Sequence, residues 1–321
     1  MHLEFDLEPG QRIDTAISEK YPQYFSRTLA QKLIKDGKVF IDDEICKKSS
    51  HKEDHGKSVK IHYEPSPEYN LHANHQTSVP IIFQDRHLAI IHKPAGMTVH
   101  PGSGTGEDTL VHVLLAQIDR LSEGSDKLRP GIVHRLDRET EGLMVIAKDN
   151  RAHFELASQF SERKVLKEYH GWVWGVTNPL DNSSEQIVEG FIGRHPKDRK
   201  KMLFEHFPLH ANWKTARMSF TTLKTTKYFS LIKINLQTGR THQIRATMAK
   251  MEHPVLGDTV YSHVLRRLSK TSILSVQKEQ IINGGLFLMA TRLSFIHPVT
   301  KELLDFQLPL PERFININSI L

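Results

Sequence analysis

The chain has a single cysteine, Cys46, in 321 residues. No intrachain disulfide can form, and such cysteine usage fits a reducing compartment. Long apolar runs are missing too: none approaches the ~20 residues that a membrane-spanning helix needs. Glu4, Asp6 and Glu8 occupy the N-terminus where a signal peptide would be apolar. The expectation is a cytoplasmic protein. Metal-ligand spacing is also lacking. The 20 histidines are scattered, no His-Glu-x-x-His occurs, and His51 and His55 lie in a charge-rich loop, so no metal is expected. Nor is there a phosphate loop. No Lys-Ser/Thr pair leads from Gly102-Ser103-Gly104-Thr105-Gly106 into a helix, and His51 stands where a Walker loop ending at Gly56-Lys57-Ser58 needs glycine.

What is present is a globular composition, 38% hydrophobic and 25% charged, with length enough for two domains. Lys plus Arg exceed Asp plus Glu by 43 to 37, a net charge of +6 that permits a polyanionic partner without requiring one. Residues 1–64 read as a small module. Ser26 is a plausible N-cap for a helix over 27–36, stopped by Gly37. Leu29, Ala30, Leu33 and Ile34 share one side of it; Arg27, Gln31, Lys32 and Lys35 share the other. Short strands follow at 39–42 and 59–63. Residues 65–78 are polar and proline-punctuated, as a linker would be, and residues 79–321 form the larger domain.

In that domain a strand pair is expected at 80–83 and 88–92, turned by Lys93-Pro94-Ala95-Gly96, then a helix over 109–120. Two polar stretches stand out. The first, His134-Arg135-Leu136-Asp137-Arg138-Glu139-Thr140-Glu141-Gly142, runs into the apolar strand 143–147. Asp137 lies among arginines, and a carboxylate so placed can stay ionised where water is thin, because nearby positive charge offsets desolvation. Alone, such a cluster reads as a structural ion pair. Asp149 then caps a helix over 151–163, and an alternating strand opens at Lys167-Glu168-Tyr169. Residues 181–227 give no clear periodicity beyond a basic loop holding Arg199 and Lys200, a candidate for phosphate contact. The second polar stretch runs from Thr238 through Gly239-Arg240-Thr241-His242-Gln243-Ile244 to Arg245, opening a helix over 241–251. Arginine near a helix start is disfavoured by the dipole, so Arg245 calls for an anionic partner. Arg266, Arg267 and Lys270 suggest a surface helix, and strands are expected at 286–290 and 293–295.

The strings His134–Gly142, Lys167-x-Tyr169 and Thr238–Arg245 resemble the hallmark motifs of the RluA-type pseudouridine synthases, as do Lys93–Gly96 and His253–Asp258. The order Arg12-Ile13-Asp14, Ser26-Arg27, Leu33-Ile34, Gly37-Lys38-Val39 and Gly56–Val59 resembles the small RNA-binding domain first seen in a small-subunit ribosomal protein. The resemblance implies an α+β fold: a mixed, mostly antiparallel sheet flanked by helices and loops, with a small N-terminal α/β RNA-binding domain. It implies isomerisation of uridine to pseudouridine within RNA, without cofactor. Asp137 would be the catalytic carboxylate, attacking sugar or base or taking a sugar proton. Arg245 would pair with Asp137, keeping it charged and oriented, and Tyr169 would stack on the flipped base and could assist a proton transfer. His134, Arg135, Lys167, Arg240 and His242 would meet substrate, and Arg27, Lys32, Lys35, Arg199 and Lys200 the rest of the RNA. Large-subunit ribosomal RNA is the first expectation and transfer RNA the second, with no DNA or membrane partner and a monomeric state. The rival class is a non-catalytic RNA-binding or ribosome-assembly protein on the same scaffold. A methyltransferase is disfavoured, because no glycine-rich strand-to-helix turn is present. Glu141, Thr247 and Met289 depart from the family pattern, which bears on substrate choice and packing.

Overall fold

The computed structural model describes residues 2–63 and 71–317, apart from 23, 26, 54, 55, 103–105, 107, 125, 127, 178–183, 199 and 262–283. Ser26, Arg199, Arg266, Arg267, Lys270 and the middle of the 102–106 glycine run lie outside the described residues. The chain divides into two compact units, Met1–Asn70 and Leu71–Leu321.

The first unit comprises β1 (His2–Leu7), α1 (Ile13–Lys20), α2 (Arg27–Lys35), β2 (Val39–Ile41), β3 (Glu44–Ile45) and β4 (Lys57–His62). Its sheet runs β1-β4-β2-β3 and is antiparallel throughout. The apolar side of α2 packs as its spacing predicts, with Ala30, Leu33 and Ile34 buried beside Ile13, Ile17, Val39 and Val59. The sequence did not signal α1, because Asp14 interrupts its apolar period at a fully buried position. Asp14 accepts from Arg12 Nε and Nη2, both at 3.0 Å, from Arg27 Nε at 3.2 Å and from Gln31 Nε2 at 2.8 Å.

The second unit contains β5 (Ile81–Gln84), β6 (Leu88–Lys93), α3 (Leu110–Gln117), β7 (Glu141–Ala147), α4 (Asn150–Ser161), β8 (Leu166–Trp174), β9 (Gln186–Arg194), β10 (Met202–Glu205), β11 (Lys214–Thr225), β12 (Phe229–Leu236), α5 (Gln243–Lys250), β13 (Leu288–Ile296), β14 (Leu303–Gln307) and α6 (Glu312–Ile315). Ten strands form one sheet in the order β10-β9-β11-β12-β8-β13-β7-β6-β5, with β14 paired to β13. Among the described residues only β7 against β13 is parallel. The fold is α+β, as the sequence implied. The two expected C-terminal strands are one strand, β13, carrying a bulge between Ala290 and Arg292.

β7 explains its own sequence. Successive side chains point to opposite faces, so Leu143 and Val145 pack with Ala152 and Leu156 of α4, while Met144 and Ile146 pack with Val113 and Leu114 of α3. A strand covered on both faces needs an unbroken apolar run. Gly142 is required by the crossing: with φ at 128°, an added Cβ would sit 2.2 Å from the Ala290 carbonyl oxygen. Asp149 caps α4 as expected, its Oδ1 accepting from the Ala152 N–H at 2.9 Å. The unread middle of the chain is β9 to β11. There polar and apolar residues alternate over a half-solvated sheet, and the exposed pair Glu189 and Arg217 meets across it at 2.9 Å.

Candidate active site

The loop before β7, the strand β8 and the turn from β12 into α5 meet at a cleft of about 390 Å3. Asp137, Tyr169, Lys167, Arg240 and Arg245 line it together with His134 and Arg135, so most of the residues singled out in the sequence converge.

Asp137 sits at a tight turn in which its carbonyl accepts the Thr140 N–H at 3.1 Å. Buried Leu136 anchors the turn on one side. On the other, the fully buried Lys93 ammonium donates to the carbonyls of Pro94, Met97 and Arg138 at 2.7, 2.9 and 3.0 Å. Arg138 Nε returns a bond to the Gly96 carbonyl at 2.9 Å. The Lys-Pro-Ala-Gly turn is therefore a brace for the Asp137 loop. Burial pulls the Lys93 pKa down to about 8, against the opposing pull of Glu139, Asp137 and Glu141.

Arg245 Nη1 lies 3.6 Å from Asp137 Oδ2, with the arginine side chain 5% exposed and the aspartate 17%. Its fork is held from behind: Nε and Nη2 donate to Asp258 at 2.7 and 2.9 Å. The Tyr261 ring faces the guanidinium at 5.4 Å. Burial works against the Arg245 charge, but Asp258 and then Asp137 outweigh it, and the pKa rises. The anion that the helix start called for is thus supplied from within the chain. Asp258 is placed by Gly257, whose φ of +73° and 1.7 Å Cβ-to-Gly285-oxygen approach admit no side chain.

Tyr169 is buried in the wall of the cleft on β8. Burial, then the Asp137 charge, push its phenol upward, so it remains a neutral donor at physiological pH. Lys167, two residues earlier, is brought down to about 8 by burial and then by Arg240 and Arg163. His134 is part of the wall: Nε2 accepts the Val145 N–H at 3.1 Å, and the ring stacks on Phe160 at 4.5 Å. Burial holds it neutral, down to about 3. Arg135 is exposed beside it. In the turn into α5, Gln243 Oε1 accepts from Thr238 Oγ1 and the Arg240 N–H at 2.8 and 3.1 Å. Arg240 Nε donates to the Thr215 carbonyl at 3.2 Å. His242, left-handed at φ 53°, places Nδ1 3.2 Å from the Tyr261 hydroxyl. In the first unit Arg27, Lys32 and Lys35 lie exposed on α2, and Lys200 is exposed in the β9–β10 turn. Among the described residues no group of three His, Cys, Asp or Glu side chains could hold a metal ion. No described helix is long and apolar enough to cross a membrane.

Residues 87–250 match the RNA pseudouridylate synthase family and residues 11–57 the S4 domain. An RNA pseudouridine synthase of Aquifex aeolicus (strain VF5) is 38% identical over 99% of this chain and 96% of its own. The chain belongs to the RNA pseudouridylate synthase family. It is an RNA pseudouridine synthase, and it carries an N-terminal S4 domain. Ribosomal large subunit pseudouridine synthase D of Escherichia coli (strain K12) is 30% identical over 97% of this synthase and 91% of itself. Among solved structures, human RNA pseudouridylate synthase domain containing 4 covers 75% of the chain and 92% of its own, at a TM-score of 0.55 and 28% identity.

Two of the synthase's departures from the family pattern are neighbours. Glu141 and Met289 are register partners across the parallel β7–β13 pair. Glu141 also accepts from Arg313 of α6, and Met289 packs in the apolar cluster around Trp172. The third, Thr247, is buried with no partner for its hydroxyl among the described residues. The sequence reading gave no role to Asp258, Tyr261 or Lys93. The anion expected for Arg245 was Asp137, which does lie 3.6 Å away, but the hydrogen bonds go to Asp258. Lys93 and Tyr261 act through tertiary contacts that no local pattern carries.

Proposed function

We propose that this synthase isomerises one or a few uridines to pseudouridine in large-subunit ribosomal RNA, with Asp137 as the catalytic carboxylate. The observation that carries the residue assignment is Arg245, fixed by Asp258, standing 3.6 Å from Asp137 in a cleft walled by Tyr169. The target is taken from the E. coli relative, a ribosomal large subunit pseudouridine synthase. In this reading residues 1–64 bind RNA, 65–78 link, and 79–321 catalyse, in a cytoplasmic monomer.

The reaction breaks the bond from uracil N1 to the sugar, turns the ring and joins C5 to the same carbon. C5 loses its proton and N1 gains one, with no net redox change. A uridine inside a helix is out of reach, so it is flipped into the cleft at a cost of a few kcal/mol. Arg135, exposed at the cleft, fills the gap left in the stack. Tyr169 stacks on the extruded base, and its neutral phenol is available for proton transfer. Lys167 and Arg240 supply positive charge for the flanking phosphates. His134 and His242 hold the two loops, the first against β7 and the second against Tyr261. Arg245 keeps a fixed guanidinium on Asp137 throughout, so little reorganisation is needed as charge develops.

The test is a transcriptome-wide pseudouridine map in cells with and without the gene. One or a few sites in large-subunit ribosomal RNA should vanish, and return with the intact chain but not with Asp137→Asn. Loss confined to transfer RNA would overturn the target, and rescue by Asp137→Asn would overturn the residue.

A further inference from the structure

A second concavity, of about 480 Å3, lies at the opposite end of β6 and β7 from the Asp137 loop. Three separate segments bring cations to it: Arg86 from the β5–β6 turn, Arg120 from beyond α3, and Lys148 and Arg151 from the passage of β7 into α4. Arg86, Arg120 and Arg151 are exposed. None of the three forms an ion pair with a carboxylate among the described residues. Lys148 is half-buried and oriented by its bond to the Asp85 carbonyl at 2.5 Å.

The nearby acids are mostly occupied elsewhere. Asp149 caps α4 through the Ala152 N–H and accepts from His87 Nδ1 at 2.6 Å. Glu155, one turn along α4, pairs with Lys301 at 2.9 Å. Asp119 is the one lining carboxylate without such a bond among the described residues. Arg86, Arg120, Lys148 and Arg151 outnumber the two lining carboxylates, Asp119 and Asp149, and Glu155 offsets Arg151 only in part because it is bonded to Lys301. An anionic ligand relieves the repulsion among the excess cations. A surface that presents several guanidiniums around one hollow suits phosphate oxygens, which arginine meets with a planar fork.

The spacing suits the same RNA that fills the cleft. Seven residues of β7 separate the hollow from the Asp137 loop, roughly 20 Å at about 3.3 Å per residue. We propose that this hollow is a second RNA-backbone site, holding phosphates of the folded substrate away from the reacting uridine. It rests on the reading that the synthase acts on structured RNA. Contacts of this kind fix register and add affinity but carry no sequence information.

The test uses the full chain and a transcript of large-subunit ribosomal RNA, with affinity measured across a salt series. The variant Arg86→Gln/Arg120→Gln/Arg151→Gln removes three exposed guanidiniums without touching the core, and its melting should match the intact protein. Its affinity should fall about ten-fold or more near 0.1 M salt, and its salt slope should become shallower by about 2. Hydroxyl-radical protection should disappear from a stretch of RNA separate from the modified uridine. The control Arg292→Gln/Lys250→Gln removes cations already paired with Asp305 and Glu205, away from the hollow, and should cost far less per charge. An unchanged slope, or an equal loss per charge in the control, would overturn the second site even while the intact protein modifies the transcript. Failure of the intact protein to bind or modify the transcript would overturn the functional reading and the second site together.

Discussion

In the first unit the side chain of Asp14 is 0% exposed and holds Arg12 and Arg27, which are 37% and 54% exposed. In the second, Asp258 is equally buried and holds Arg245, which is 5% exposed. Both carboxylates accept two bonds from one arginine, a charge-assisted geometry that fixes the fork. The outcome differs with where the guanidinium's remaining face looks. Arg12 and Arg27 are offered to solvent, where a long polyanion can reach them. Arg245 looks inward at Asp137, in the cleft. In the proposed function a buried aspartate would thus serve RNA capture in one unit and chemistry in the other, with the exposure of the arginine deciding which.

The largest effect should come from Asp137→Asn. The amide keeps the shape but cannot carry the charge, so single-turnover isomerisation should fall more than about 1000-fold while melting and RNA affinity stay near normal. A rate close to that of the intact protein would leave Arg245 facing nothing of consequence. Next is Asp258→Ala, which leaves Arg245 buried without its main partner. Urea unfolding should report a loss of about 3–5 kcal/mol; a loss under about 1 kcal/mol would mean that Arg245 finds another anchor, and the likeness to Asp14 would fail.

A smaller effect is expected from pH. Burial lowers the Lys167 pKa to about 8, so in the free enzyme its positive charge is present at neutral pH and lost as pH rises through that value. If Lys167 holds substrate phosphate, kcat/KM should decline from about pH 8 upward, and Lys167→Arg should flatten that limb. A limb unmoved by the substitution would assign it to another group. Least affected should be Arg27→Gln, since surface charges act singly: RNA affinity should drop a few-fold and the salt slope by about 1. An effect as large as that of Asp258→Ala would place Arg27 in the inner site's class.

Much of the inner site was legible because its parts are local. Asp137 precedes an apolar strand, Tyr169 sits on an alternating one, and Arg245 opens a helix, so each could be located from its own neighbours. Asp258 was visible only as the end of the His253–Asp258 string, because the anion that Arg245 demands had an evident candidate in Asp137. The brace from Lys93 was not legible at all, since it depends on three carbonyls, one of them 45 residues further along the chain. In the first unit α1 was lost to the same device that makes it useful: a buried aspartate in an apolar stripe looks like a break in the pattern. β9 to β11 escaped notice because a half-solvated sheet takes polar and apolar residues nearly alike.

The most direct test of the contrast is to measure kcat and KM on one RNA transcript for Asp14→Asn and Asp258→Asn side by side. Asp14→Asn should raise KM, because two exposed arginines lose their common anchor, and leave kcat within about two-fold. Asp258→Asn should lower kcat ten-fold or more with little change in RNA affinity, because Arg245 drifts from Asp137. If both substitutions move the same parameter, the two aspartates do one job, and the division between an outward and an inward arginine is wrong.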